Sequence, residues 1–231
     1  MPAVSALLVR LFNEAVRPLL VAIRMAADGL LERVFGVATR GEVQLDRLGL
    51  QSQDRRDYKP APWRTLAMVL RRTDVDAATD VFIDFGAGKG RVVFLAARYP
   101  FKRVIGVELS PDLSRLAREN IERHRNRLRC ADVEIVTSDV LDYEIPDDVT
   151  IAFFYNPFGG DVFVRVLSRL LASVDRRPRF LRIIYHNPVE HETLMATGRV
   201  RLLRRTRGWR PTPAWSRSNS THVYEVTTPS G

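Results

Sequence analysis

An aspartate and three alternating glycines follow an apolar run and are the residues of this chain most suited to bind a ligand. The run is VFIDF, and Asp84 near its end is followed by Gly86, Gly88 and Gly90. Glycine lacks a Cβ atom, so a glycine turn can bend sharply and bring its backbone close to a bound molecule. The segment therefore predicts a ligand-binding turn between a strand and a helix.

The spacing of these glycines argues against a phosphate ligand. A triphosphate-binding loop needs Ser or Thr after its Gly-Lys pair, but Gly90 follows Lys89. The dinucleotide fingerprint needs its third glycine at the position of Arg91. An acidic residue just before the turn would repel a phosphate and attract an ammonium group. We therefore expect Asp84 to hold a positively charged amino-acid moiety.

Two further carboxylates follow the next two apolar runs. Glu108 ends RVIGVE, and Asp139 follows VEIVTS. A carboxylate at the first place can accept hydrogen bonds from both hydroxyls of a ribose, as in nucleotide-binding folds of this winding. Asp139 can accept a hydrogen bond from the amino group of adenine. Together they predict a nucleoside site beside the glycine turn.

Regular alternation of apolar runs and helical patterns supplies the elements that position these residues. Such alternation predicts an α/β fold with parallel strands and helices on both faces of the sheet. The C-terminal segment predicts two more strands without a helix between them, as a hairpin at the sheet edge. Strands are expected at 80–85, 103–109, 133–138, 149–155 and 180–186, and helices at 63–72, 89–99, 111–128, 161–175 and 189–197.

The N-terminal part has a different pattern. Residues 4–36 have helical apolar spacing, and Pro18 should kink this helix or divide it in two. Arg10, Arg17 and Arg24 would lie along one side of it. The helix either packs on the main domain or lies on an anionic membrane surface.

Composition limits the cellular setting. The net charge of +9 can attract nucleic acid, anionic lipid or acidic proteins, and it also fits an arginine-rich bacterial proteome. No apolar segment is long enough to span a bilayer. With one cysteine, Cys130, the chain cannot form an internal disulfide. We expect a cytoplasmic protein, with membrane association through the N-terminal helix as an option.

The glycine turn with Glu108 and Asp139 in register resembles the class I (seven-strand) S-adenosylmethionine-dependent methyltransferases. The resemblance covers roughly residues 58–228. It implies a Rossmann-like doubly wound sheet of order 3-2-1-4-5-7-6 with an antiparallel last hairpin, and S-adenosyl-L-methionine as cofactor. It also implies an N-terminal helical extension and linker at 1–57 and a methyltransferase domain at 58–231. The nearest likeness is to the seven-strand protein-lysine methyltransferases.

The same resemblance implies roles for the residues around YNPFGG at 155–160. The stretch is similar to the D/N-P-P-Y/F motif of amino-directed methyltransferases, with one proline in place of two. Asn156 and the following carbonyl would accept hydrogen bonds from the target nitrogen, and Tyr58 would line the transfer channel. No metal site is expected. The implied catalytic residues are Asn156, Pro157, Phe158 and Tyr58, and the implied cofactor-binding residues are Asp84, Gly86, Gly88, Gly90, Glu108, Asp139 and Asn156.

Three interpretations of the function remain open, and the first two differ in the methyl acceptor. The first is a protein side chain, with lysine preferred, and the second is RNA or a small metabolite. The third is a non-catalytic module that binds S-adenosylmethionine or a partner protein. Nucleic acid is considered because arginines and two tryptophans crowd the C-terminal segment, although they could equally form a solvated face: Arg199, Arg201, Arg204, Arg205, Arg207, Arg210 and Arg217, with Trp209 and Trp215.

Overall fold

One seven-stranded sheet organises the molecule. The structure is a computed structural model that describes residues 9–44, 46, 49, 54–206 and 213–227. The strands are β1 (Val81–Phe85), β2 (Arg103–Glu108), β3 (Val133–Thr137), β4 (Ile151–Phe154), β5 (Leu181–His186), β6 (Val200–Thr206) and β7 (Thr221–Val226).

The strand order is β3-β2-β1-β4-β5-β7-β6, as the sequence predicted. Strands β1 to β5 pair in parallel, and β7 pairs antiparallel with both β5 and β6. The chain leaves β1 toward β2 on one side and later returns to β4 on the other. In open α/β sheets, the crevice at such a switch point, outside the carboxyl ends of the strands, is the usual place for a ligand.

Helices cover both faces of this sheet. The Ser110 hydroxyl accepts a hydrogen bond from the Leu113 N–H at 3.3 Å, and Pro111 occupies the first turn, so the third helix begins where the sequence predicted. The helices are α1 (Arg17–Phe35), α2 (Arg91–Ala96), α3 (Pro111–Arg123), α4 (Gly160–Arg176), α5 (His191–Ala196) and α6 (Pro213–Ser218).

Period-two alternation sends the residues of β1 to two different cores. Val81, Ile83 and Phe85 belong to the apolar cluster that packs under α4, whereas Phe82 belongs to the cluster that α2 and α3 cover. Asp84 has the same parity as Phe82 and is also buried. An acidic residue in a fully buried central strand needs a local reason, and the site below supplies one.

Two predicted elements were wrong. Residues 63–69 form consecutive turns and not a helix, and a short 3-10 helix follows at Arg72–Asp74. Helix α6 lies between β6 and β7, where the sequence predicted a loop without a helix. In the first of these stretches, the backbone hydrogen bonds join residues three or four apart without forming one regular helical series.

The N-terminal helix changes its winding before Pro18. Residues Phe12–Val16 form a π-helical turn, and α1 follows directly with Pro18 in its first turn. Proline has no N–H to donate to the preceding turn, so the wider winding accommodates the missing bond. The expected division at Pro18 is therefore a change of helix type. Residues 4–8 of the predicted helix lie outside the described residues.

Candidate functional site

A cavity of about 880 Å³, counting the open space at its mouth, lies at the carboxyl ends of β1 to β4. Gly88 and Gly90 are not among its lining residues. The lining includes eight residues that the sequence singled out: Tyr58, Asp84, Gly86, Glu108, Asp139, Asn156, Pro157 and Phe158.

Two buried carboxyl groups lie in this cavity. Asp84 is 3% exposed and Glu108 is 6% exposed. Burial, and next the nearby Glu108, raise the pKa of Asp84 well above its usual range. Burial also raises the pKa of Glu108, against the lowering effect of backbone hydrogen bonds. Within the part of the chain that the structure describes, the Asp84 carboxyl has no hydrogen-bond partner. A buried acid without a partner is suited to a cationic ligand.

Glu108 holds the glycine turn in place. Its Oε2 accepts a hydrogen bond from the Gly88 N–H at 2.8 Å, and its Oε1 accepts one from the Ser110 N–H at 2.9 Å. Two more amides at the start of the turn, those of Gly86 and Ala87, donate to the Val107 carbonyl. Each carboxylate oxygen can accept a further bond, so Glu108 can still receive ribose hydroxyls.

The alternating glycines make room for neighbouring side chains. A Cβ at Gly86 would lie 2.3 Å from Pro157 Cβ, and one at Gly88 would lie 2.1 Å from the Tyr58 ring. Gly90 lies at the start of α2, behind the turn, and packs against Ala117 of α3. The Pro157 and Tyr58 rings therefore pack directly on the glycine turn. Any contact between the turn backbone and a ligand comes in addition to this packing.

Asn156 adopts a backbone conformation that few residues other than glycine tolerate. Its φ is +46°, and asparagine is among the side chains that accept the left-handed region most readily. Its Oδ1 accepts a hydrogen bond from the Tyr185 hydroxyl at 2.8 Å. The Pro157 carbonyl already accepts the Arg56 N–H at 3.1 Å. Phe158 is buried and packs edge-on against Phe154.

Residues 54–58, here called the strap, cross the cavity and pair with the YNPFGG loop. The Gly159 N–H donates to the Asp54 carbonyl at 2.8 Å, and Arg55 forms a β-bridge with Phe158. The Arg55 guanidinium also forms an ion pair with Asp139. The acid expected to accept an adenine amino group therefore already has a partner. Its other oxygen, Oδ1, accepts the Leu141 N–H at 3.0 Å.

A buried arginine that the sequence analysis passed over anchors the strap side of the pocket. Arg91 is 2% exposed, and its guanidinium donates to Thr39 Oγ1, the Ala61 carbonyl and Glu32 Oε1 at 2.7, 2.9 and 3.1 Å. The Thr39 carbonyl in turn accepts the Tyr58 hydroxyl at 2.7 Å. Helix α1, which carries Glu32, is thus tied to the residue that lies on the glycine turn.

The acids of this pocket fit the cofactor that the sequence implied. S-adenosylmethionine carries an ammonium group, a ribose and an adenine. Three acids lie at the carboxyl ends of β1, β2 and β3 in that order: Asp84, the doubly anchored Glu108 and the more exposed Asp139.

Comparison with known families agrees with this geometry. Residues 82–176 match a family model described as a methyltransferase domain. The chain is an S-adenosylmethionine-dependent methyltransferase. No protein of curated function matches its sequence.

Solved structures with this fold include several other methyltransferases. A mitomycin 7-O-methyltransferase, MmcR, is 16% identical over 72% of this chain and 53% of its own, with a TM-score of 0.51. An RNA methyltransferase from Salinibacter ruber, solved with S-adenosyl-L-homocysteine, is 19% identical over 75% and 96%, with a TM-score of 0.49. The tRNA (uracil-54, C5)-methyltransferase of Pyrococcus abyssi is 15% identical over 65% and 36%, with a TM-score of 0.45.

Two further predictions concern the surface of the methyltransferase: membrane association and nucleic-acid binding. Among the described residues, no helix is long and apolar enough to cross a membrane.

Arg199 and Arg201 form ion pairs with Asp175 and Glu225, and this part of the C-terminal segment is a solvated face. Trp215 packs edge-on against Phe12 of the N-terminal segment. The ring centroids are 5.3 Å apart. Arg207, Trp209 and Arg210 lie outside the described residues.

Proposed function

We propose that this methyltransferase transfers the methyl group to the side-chain amine of a protein substrate, with lysine as the preferred residue. The observation that carries the proposal is a carboxamide with an oxygen acceptor, Asn156, in a cavity walled by the aromatic rings of Tyr58, Tyr155 and Phe158. Aromatic faces attract alkylammonium groups, and an oxygen acceptor can hold the N–H of an amine.

In this proposal, the cofactor-binding roles follow the order of the strands. Asp84 binds the ammonium group, Glu108 binds the ribose hydroxyls and Asp139 binds the adenine amino group. Gly86, Gly88 and Gly90 shape the turn on which the amino-acid part rests. The ion pair of Arg55 with Asp139 either shares the carboxylate with adenine or opens when the cofactor enters.

The chemistry needs alignment more than it needs a reactive side chain. When bound, the cofactor would supply a methyl group on a sulfonium sulfur. The amine lone pair would form the N–C bond as the S–C bond breaks with its electrons left on sulfur, and the nitrogen would release a proton to water. Asn156 Oδ1 orients the nitrogen by accepting its N–H. Tyr58 and the strap keep water out of the space between nitrogen and methyl group.

RNA and small metabolites remain the alternative acceptors. The deciding experiment incubates cell extract with cofactor labelled at the methyl group and separates protein, RNA and solvent-extractable metabolites. We expect the label in protein, and it should not enter a matched extract whose lysines have been blocked by exhaustive acetylation. Label in RNA or in metabolites would contradict the proposed acceptor without affecting the cofactor site.

Asn156→Ala tests the amino-directed role. The variant should lose turnover and keep its affinity for S-adenosylhomocysteine, because Asn156 is proposed to hold the acceptor. Calorimetric titration measures the affinity, and label transfer measures turnover. A variant as fast as the parent would overturn the role of Asn156.

We also propose that α1 rests on an anionic membrane surface. Leu19, Ile23, Leu30 and Val34 lie on one face of this helix at spacings of four, seven and four residues, and each is between 57% and 61% exposed. Soluble monomers seldom expose such a continuous apolar face, and this geometry is typical of interfacial helices.

The charges of α1 and the turn before it favour lipid over a second copy of the chain. Among the described residues, Arg17, Arg24 and Arg33 have no acidic partner and are exposed. The acids of this segment, by contrast, are paired with arginines: Glu14 with Arg10, and Asp28 and Glu32 with Arg91. Two copies would face each other with like charges, whereas anionic headgroups attract them.

Sedimentation with lipid vesicles tests this contact. The parent should bind vesicles that contain phosphatidylserine and should bind pure phosphatidylcholine far less. Ile23→Ser with Leu30→Ser should abolish binding, whereas Val164→Ser, at an exposed valine on α4, should leave it unchanged. Equal binding by all three chains, or dimerisation that the double variant removes, would contradict the proposal.

A further inference from the structure

A buried tyrosine behind the pocket makes a directed hydrogen bond to the proposed acceptor-binding amide. Tyr185 lies in β5 and is fully buried, and its ring stacks on Phe163 with centroids 5.8 Å apart. Its hydroxyl lies 2.8 Å from Asn156 Oδ1. Tyr185 does not line the cavity. It therefore acts on a ligand only through Asn156.

The direction of this bond is fixed by a second one. The Glu190 backbone N–H donates to the Tyr185 oxygen at 3.3 Å, and this bond occupies one of its lone pairs. The hydroxyl proton is then free to point at Asn156 Oδ1. The pKa of the Tyr185 hydroxyl is raised, and burial is the largest cause of this shift. The hydroxyl therefore stays protonated and remains a donor at neutral pH.

A carboxamide has two unlike ends, and only one of them suits an amine. If the Asn156 side chain turned over, its NH₂ would occupy the position of the oxygen and would meet the N–H of the acceptor donor to donor. A carboxamide oxygen accepts two hydrogen bonds, so the bond from Tyr185 leaves one acceptor position for the substrate.

We infer that Tyr185 is a positioning residue that holds the Asn156 carboxamide with its oxygen available to the acceptor nitrogen. The inference rests on the proposed amino-directed function. A chain of hydrogen bonds leads to the pocket. It runs from the Glu190 N–H, just before α5, through the Tyr185 hydroxyl in β5 to Asn156 Oδ1.

The test compares Tyr185→Phe in two backgrounds. In the parent, the loss of the hydroxyl should lower turnover by roughly ten- to a hundredfold, since small misplacements of a binding group have effects of this size. The affinity for S-adenosylhomocysteine should not change. In an Asn156→Asp background the same substitution should have little effect, because a carboxylate presents an oxygen at both ends and needs no fixed orientation.

Tyr224→Phe is the matched control. Tyr224 is also fully buried in the sheet, and its hydroxyl bonds to His191 and His222 away from the cavity. Thermal unfolding of each variant separates lost stability from lost positioning.

The outcomes distinguish this inference from the function on which it rests. If Tyr185→Phe lowers turnover equally in both backgrounds, or only as much as Tyr224→Phe does, Tyr185 has no positioning role. If Asn156→Ala itself keeps full turnover, the proposed function fails first.

Discussion

At the scale of single residues, the pocket contains a buried acid that has no hydrogen-bond partner among the residues that the structure describes. Asp84 sits in the central strand, where burial and the neighbouring Glu108 both raise its pKa. A carboxyl whose pKa is higher in the folded chain than in the unfolded chain adds stability at low pH, and this contribution is lost as the pH rises through the raised pKa. Without ligand, Asp84 therefore weakens the fold at neutral and alkaline pH.

Asp84→Asn should separate binding from stability. Without ligand, the variant should be more stable than the parent at alkaline pH, with the difference vanishing toward acidic pH, where both side chains are neutral. Its affinity for S-adenosylmethionine should fall by about ten- to a hundredfold, the value of one charge-assisted bond. Thermal unfolding across pH and calorimetric titration measure the two effects. Unchanged affinity would show that the ammonium group binds elsewhere.

The glycine turn offers a second prediction with a matched control. Gly88 and Gly198 have φ of +56° and +65°, but only a Cβ at Gly88 would meet another side chain, the Tyr58 ring. Gly198→Ala should cost about 1 kcal/mol of folding free energy from backbone strain alone. Gly88→Ala should cost more and should also weaken cofactor binding, because Tyr58 must move.

Urea denaturation and ligand titration of both glycine variants measure these effects. If the two variants lose the same stability and both keep the parent affinity, the contact between Tyr58 and the turn has no role in binding.

At the scale of elements, α1 is attached to the domain through a buried arginine. Arg91 bonds to Glu32 of α1, and its guanidinium lies 4.7 Å from the centre of the Trp63 ring. Burial raises the pKa of Glu32, but the Thr39 hydrogen bonds and the Arg91 charge outweigh it, and the net pKa is lowered. The helix, the linker and the glycine turn therefore share one polar network.

Arg91→Ala should lower the free energy of unfolding by at most about 3–5 kcal/mol, since Glu32 loses its buried charge partner and keeps only the more exposed Arg40. Arg115→Ala is the control, because Arg115 forms an exposed pair with Glu119 within α3 and should change stability by less than about 1 kcal/mol. Urea denaturation of both variants tests the difference. Equal values would mean that α1 is held by its apolar contacts alone.

At the scale of the whole molecule, local pattern predicted the sheet and the pocket acids but not the part that covers them. The parallel strands and the places of Asp84 and Glu108 followed from apolar runs and the residues at their ends, which are near in sequence, whereas the strand order and Asn156 were implied by the resemblance to the methyltransferases. The partners of Arg91 are Glu32 and Thr39, more than fifty positions away, and no periodicity links them. For the same reason, the ion pair of Arg55 with Asp139 was not foreseen.

The family match begins later in the chain than the first residues that line the pocket. The match starts at residue 82, whereas Tyr58 lies on Gly88 and its hydroxyl bonds to Thr39. A chain trimmed to the matched stretch would keep the acids proposed to bind the cofactor and would lose Tyr58, one of the aromatic rings proposed to face the acceptor. Exchange of the upstream part between relatives would therefore alter one wall of the proposed acceptor space, at Tyr58, and would leave Asp84, Glu108 and Asn156 in place.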